Sequence, residues 1–288
     1  MGFDATGKVS LDHIYAQPDP RAYFRELREL DYRITQLAKP YFAKLVDDYR
    51  QARQVTTCQI VDIGCSYGIN AALLNCDLTM DELYDRYCGA ADNAVTSMSR
   101  AELLRQDREL VRARGGLDRH RFIGLDASQP ALAYAREAGF LDADVHADLE
   151  SHPPTEQQRT VFDGTDLVIS TGCLGYVTGT TLERVIAASG ERRPWLAHFV
   201  LRMFPFAPVV DMLTRLGYDT IPVDGVFKQR RFAGEQEQAR MLDTLATRGF
   251  DPDGLETDGW LYAQLYISLP RGERSTIDSS DVRIERER

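Results

Sequence analysis

The 288 residues suffice for one large α/β domain with a sizeable core, or for such a domain carrying insertions. Net charge is −10, with 34 Lys and Arg scattered among 44 Asp and Glu, so duplex nucleic acid finds no basic stripe to grip. The five cysteines (Cys58, Cys65, Cys76, Cys88, Cys173) have no C-x-x-C spacing, which argues against a zinc site and a disulfide framework and predicts reduced thiols in a cytoplasmic protein.

No signal peptide or sustained apolar span is visible, and the match of Met1-Gly2 and Thr6 to a myristoylation pattern is short enough to recur by chance. The first dozen residues read as loose. After Pro18-Asp19-Pro20, the residues Phe24, Leu27, Leu30, Ile34, Leu37, Phe42, Leu45 and Tyr49 recur at roughly helical spacing, and Pro40 is expected to split the stretch into two helices. Next, Ile60-Val61-Asp62-Ile63 meets Gly64-Cys65-Ser66-Tyr67-Gly68 and continues as a helix from Asn70. That is a strand, a tight turn and a helix start, the arrangement with which an open α/β sheet receives a nucleotide-like ligand. The turn reads G-x-x-x-G. It lacks both the G-x-G-x-x-G dinucleotide fingerprint and the G-K-[ST] phosphate-loop ending, and Asp62 beside it suits a neutral or cationic ligand better than a pyrophosphate.

Residues 77–118 read as an insertion of about two helices, ending at Gly115-Gly116. The strand Arg121 to Asp126 then precedes a Pro-led helix over 130–138, repeating the strand, acid, helix order. Asp126 lies 58 residues past Gly68, against about 20 in a plain Rossmann unit, as the insertion requires. Further strands are expected over 143–150, 165–172 and 195–206, with helices over 208–216 and 236–248 and aromatic-rich strands near 226–232 and 260–269. A charged, Ser-rich tail from Arg271 is expected to be disordered.

Four successive strand ends therefore carry Asp62, Asp126, Asp148 and Ser170-Thr171-Gly172, and in a parallel sheet these emerge along one edge. The pattern resembles the class I S-adenosylmethionine (SAM) methyltransferases over about residues 55–270. The resemblance implies a Rossmann-like α/β sheet with helices on both faces, an N-terminal helical cap over 1–54 and SAM as the cofactor, with no metal. It implies cofactor contacts from Asp62, Gly64, Cys65, Ser66 and Gly68 of the first motif, from Asp126 and Ala127 at the ribose, from Asp148 and Leu149 at the adenine, and from Ser170 and Thr171. Tyr176 is the first candidate to face the sulfonium by cation–π attraction, with Tyr15 and Tyr23 from the cap beside it.

Each of these residues has an ordinary structural alternative. A strand-ending Asp is commonly a helix or turn cap, Cys65 and Cys173 suit small buried hydrophobes, and His146 and His198 suit structural roles. The strand-four loop does not read [DN]-P-P-[YF], which disfavours methylation of a base nitrogen or an amide. The leading expectation is a methyltransferase for a small amino-acid-like or natural-product molecule of secondary metabolism. Two further readings use the same cofactor: an azetidine-2-carboxylate synthase that cyclises SAM itself and releases methylthioadenosine, and a non-catalytic SAM-binding sensor or scaffold.

Overall fold

The computed structural model describes residues 2–4, 6–89, 97–116 and 119–277. Its centre is an eight-stranded sheet in the order β3-β2-β1-β4-β5-β8-β6. β1 (Gln59–Ile63), β2 (Arg121–Asp126), β3 (Ala143–His146), β4 (Leu167–Thr171) and β5 (Trp195–Leu201) are parallel, so their carboxyl ends share one edge. β8 (Trp260–Pro270) runs antiparallel to β5. Its other side pairs first with β7 (Phe227–Arg231) and then with β6 (Tyr218–Pro222), which lie end to end.

Alternation along the strands decides which side chains reach which layer. Ile60, Phe122, Leu167 and Ile169 face the layer containing α3 (Ile34–Arg53) and α4 (Ile69–Asn75). Val61, Ile63, Ile123, Leu125 and Val168 face the opposite layer, formed by α8 (Glu156–Phe162), α9 (Gly179–Ala188) and α10 (Ala207–Arg215). A third apolar cluster joins α1 (Asp12–Tyr15), α2 (Arg21–Glu29), α5 (Met80–Cys88), α6 (Arg100–Arg114) and α7 (Gln129–Ala138). The insertion therefore contains two described helices, α5 and α6, and packs against the N-terminal helices. Residues 90–96 and 117–118 of it lie outside the described residues. α11 (Glu235–Thr247) completes the order between β7 and β8.

Pro40 does not divide its helix. The break falls earlier, at residues 30–33, where Asp31 takes φ 53°, and α3 runs unbroken through Pro40. One missing backbone bond is outweighed there by burial of Tyr41, Phe42, Leu45 and Val46 against the sheet. The strands expected over 143–150 and 195–206 stop at His146 and Leu201, and β6 was not anticipated. The start of the tail is docked. Ser275 and Thr276 donate to Asp48 and Ile277 is buried, while residues 278–288 lie outside the described residues.

The first dozen residues are not loose either. The Asp4 carboxylate accepts the Thr6 amide, Gly7 takes φ 88°, and Phe3 pairs with Val9, closing a tight turn. Val9 N–H donates to Glu237 of α11 at 2.8 Å, and Tyr176 donates to Asp4 at 2.9 Å. This strap lies across the carboxyl edge of the sheet.

Candidate functional site

Beneath the strap is a cavity of about 810 Å³ lined by the turns after β1, β2, β3 and β4. Gly64 opens its floor. With φ 71°, and with a Cβ placed there only 2.6 Å from the Cβ of Cys173, no larger residue lets the β1 turn pass the β4 turn. Cys65 is buried, and a Cβ on Gly124 would meet its sulfur at 2.5 Å. Burial holds its thiol well above the usual range, as it does for Cys173, so neither is a ready nucleophile. Ser66 adopts φ 50°, the left-handed conformation that glycine takes without cost.

The Ser66 amide donates to Asp126 Oδ2 at 2.8 Å and the Ser128 amide to Oδ1 at 2.8 Å. A carboxylate has about four acceptor sites, so these bonds leave acceptor capacity for ligand hydroxyls. Burial raises the Asp126 pKa, against the pull of these amide donors. Ala127 follows in the cavity wall, and its carbonyl is 3.0 Å from His146 Nε2. Asp148, two residues beyond β3, accepts from the amides of Glu150 and Ser151, and its carboxyl is held below the usual value chiefly by Ser151. It thus caps a turn as well as lining the cavity, next to buried Leu149.

Elsewhere the wall carries unpaired polarity. Ser66 Oγ, Asn70 Oδ1, Thr35 Oγ1 and Gln229 Oε1 are buried, have no hydrogen-bond partner and belong to residues lining this one cavity. Buried polar atoms are rarely left unmatched, so such a cluster fits a polar ligand that completes it. Tyr15, Tyr23 and Tyr32 line the same space. Tyr15 packs edge-on against Tyr23 at 5.7 Å, and its hydroxyl is pushed up to about 12 by burial and by Asp126. Tyr176 is 46% exposed at the margin, edge-on to Phe204 at 5.6 Å.

The structure therefore brings Gly64, Cys65, Ser66, Asp126, Ala127, Asp148, Leu149, Thr171, Tyr15, Tyr23 and Tyr176 to one cavity, and leaves three expected residues behind its wall. Asp62 shares a strand face with Ile60 and is fully buried beneath α4, where Asn70 Nδ2 lies 3.2 Å from each carboxylate oxygen. Burial pushes its pKa up to about 8. Ser170 points to the opposite layer, where its hydroxyl is 2.8 Å from His198 Nδ1. Gly68 is the N-cap of α4, packed against Ala135 and Phe140.

Lys8, Thr35, Asn70, Gln229 and Arg230 line the cavity and were not anticipated as site residues. Asn70 sits one residue into the helix after the glycine turn, where its position was readable. The Asp4-x-Thr6-Gly7 turn was also a sequence signal. Nothing local marks Thr35, Gln229 or Arg230, which reach the site through sheet topology. Among the described residues, no group of three or more His, Cys, Asp or Glu is placed to hold a metal ion, and no helix is long and apolar enough to cross a membrane.

No protein-family model and no curated protein matches the chain. Solved structures do. The chain is similar to the plantazolicin methyltransferase BamL, crystallised with a triazolic desmethylPZN analogue and SAH, with a TM-score of 0.50 at 11% identity over 92% of this chain and 95% of that one. The plantazolicin methyltransferase BpumL, with the same analogue and SAH, gives 0.46 at 12% over 91% and 95%. A SAM-dependent methyltransferase from Geobacter sulfurreducens with S-adenosyl-L-homocysteine gives 0.38 at 14% over 86% and 98%. At such identities the BamL likeness is one of architecture, and with the strand order above it gives the conclusion that this chain has the class I SAM-dependent methyltransferase fold.

Proposed function

We propose that the protein is a SAM-dependent methyltransferase acting on a small amino-acid-like or natural-product molecule. The observation that carries this reading is Asp126: a partly buried carboxylate at the end of β2, tied to the glycine turn of β1, with acceptor capacity left over inside a cavity. Two vicinal ribose hydroxyls match that capacity. Asp148 and Leu149 offer an acceptor and an apolar wall for adenine. The four unpaired polar atoms supply complementary partners for the aminoacyl end, and SAM fits the residues present.

SAM supplies an already activated methyl on a sulfonium. The chain's own work is then to bind, align and exclude water, which can account for much of such a rate enhancement. Tyr15, Tyr23 and Tyr176, with the strap, wall the cavity with aromatic faces able to stabilise a cation.

The test is to incubate the purified protein with SAM alone and identify the released nucleoside by mass spectrometry. A methyltransferase leaves SAM nearly intact and forms SAH once an acceptor is added. Rapid release of methylthioadenosine from SAM alone would establish the cyclising reaction instead, and tight SAM binding with neither product would establish a sensor.

A further inference from the structure

The geometry points to Lys8 as the residue that binds a ligand carboxylate inside the cavity. This rests on the SAM-dependent reading above and deepens it by naming the chemistry of one subsite. Lys8 belongs to the strap, is only 7% exposed and lines the cavity, with its Nζ 5.2 Å from the centre of the Tyr176 ring. Among the described residues its ammonium has no hydrogen bond or ion pair, although two carboxylates lie close by.

Both neighbouring carboxylates are already engaged. Glu237 Oε1 accepts from Val9 N–H and Arg230 Nη2, and its Oε2 from Arg230 Nη1 and Ala233 N–H. Asp4 Oδ1 takes the Thr6 amide and hydroxyl, and its Oδ2 takes the Tyr176 hydroxyl. The groups facing Lys8 are therefore Asp4 on its own strap, Tyr176 from the loop after β4, Arg230 from β7 and Glu237 from α11, with Glu237 neutralised by Arg230. Burial, then Arg230, lower the Lys8 pKa to about 7 against the pull of Glu237 and Asp4, the state of a buried amine with no carboxylate in direct contact. A carboxylate entering the cavity supplies it. The remaining charged wall residues Asp12, Asp126, Asp148 and Glu150 are acidic and disfavour a more highly charged anion.

A carboxylate could arrive on the aminoacyl chain of SAM or on the methyl acceptor, and the experiment separates the two. Calorimetric titrations compare wild type, Lys8→Met and Lys8→Arg, using SAH and methylthioadenosine, which lacks the aminoacyl chain. SAH-loaded protein is then titrated with propionate and with its uncharged analogue propionamide. The expectation is that Lys8→Met loses about tenfold or more in affinity for a carboxylate probe, as befits a hydrogen bond to a charged group. Its affinity for methylthioadenosine and propionamide should stay unchanged, and Lys8→Arg should remain within about threefold of wild type because it keeps the charge. Loss confined to SAH assigns the cofactor's carboxylate, and loss confined to propionate assigns the acceptor's. Equal binding of every probe by wild type and Lys8→Met overturns the proposal, as does an equal loss of SAH and methylthioadenosine, which would mark Lys8 as a strap residue alone. Failure of wild type to bind either nucleoside overturns instead the SAM-dependent reading, and this proposal with it.

Discussion

Asp126 Oδ2 accepts the backbone N–H of Ser66 at 2.8 Å, so the acid that ends β2 is fastened to the glycine turn that follows β1. The two motifs, 60 residues apart in sequence, form one surface. The bond pins the Ser66 turn, which sits at φ 50°, to the carboxylate.

Replacing Asp126 by Ala should weaken SAH binding by about 2 kcal/mol or more, the scale of hydrogen bonds to a charged group. Asp126→Asn should lose less, because the amide keeps one acceptor oxygen. Calorimetry on folded variants checks this, with unchanged affinity in Asp126→Ala placing the ribose elsewhere.

Asp62 should make the protein less stable as pH rises. Its folded pKa, about 8, lies above the usual carboxylate value, so between about pH 4 and 8 the native state holds a proton that the unfolded chain has released. Stability then falls with increasing pH by up to about 1.4 kcal/mol per unit. Buried His198, lowered to about 3, acts in the opposite sense below about pH 6.5, where the unfolded chain takes up a proton that the native state refuses. The two slopes oppose each other in acid. Above about pH 7 the Lys8 amine, lowered to about 7, also opposes Asp62, because the unfolded chain keeps a proton that the native amine has lost. Asp62 therefore dominates from about pH 6.5 to 7 in wild type and to about pH 8 in Lys8→Met. Urea unfolding across that window should show the decline in wild type and its loss in Asp62→Asn. A slope that persists in the variant would assign it to another group.

Tyr176 separates binding from turnover. Tyr176→Ala should reduce kcat more than SAM affinity if the ring favours the transition state. Tyr176→Phe, which keeps the ring and removes the hydroxyl's bonds to Asp4 and Thr6, should retain most of the rate. A purely affinity-based loss in the alanine variant would contradict a role for the ring at the reacting end.

Ser170→Ala should leave SAH affinity intact and cost about 1–3 kcal/mol of stability, because His198 Nδ1 loses its buried partner. Calorimetric binding and urea unfolding on the same variant test the two halves of that statement.

The parallel core was readable because its strands are apolar runs that end in an acid and a turn, each signal lying within a few residues. Asp126, Gly64 and Thr171 were legible for the same reason. Asp62 and Ser170 show the limit of that reading. Strand ends alternate in direction, and only the layers packed on each face decide that Asp62 lies under Asn70 and that Ser170 turns to His198. The strap escaped notice because its meaning is tertiary: Asp4 and Lys8 acquire a role from Tyr176, Glu237 and Arg230, all more than 160 residues away. Gln229 belongs to the same class, since a strand on the far side of β8 carries it to Gly172, where a Cβ would lie 2.4 Å from its Nε2.

The most direct measurement of the central claim is a crystal structure of the protein soaked with SAH. The account predicts both ribose hydroxyls within hydrogen-bond distance of Asp126, adenine beside Asp148 and Leu149, and the aminoacyl chain between Gly64 and Thr171 under the strap. SAH bound away from Asp126, or a cavity that stays closed to SAH at saturating concentration, would contradict it.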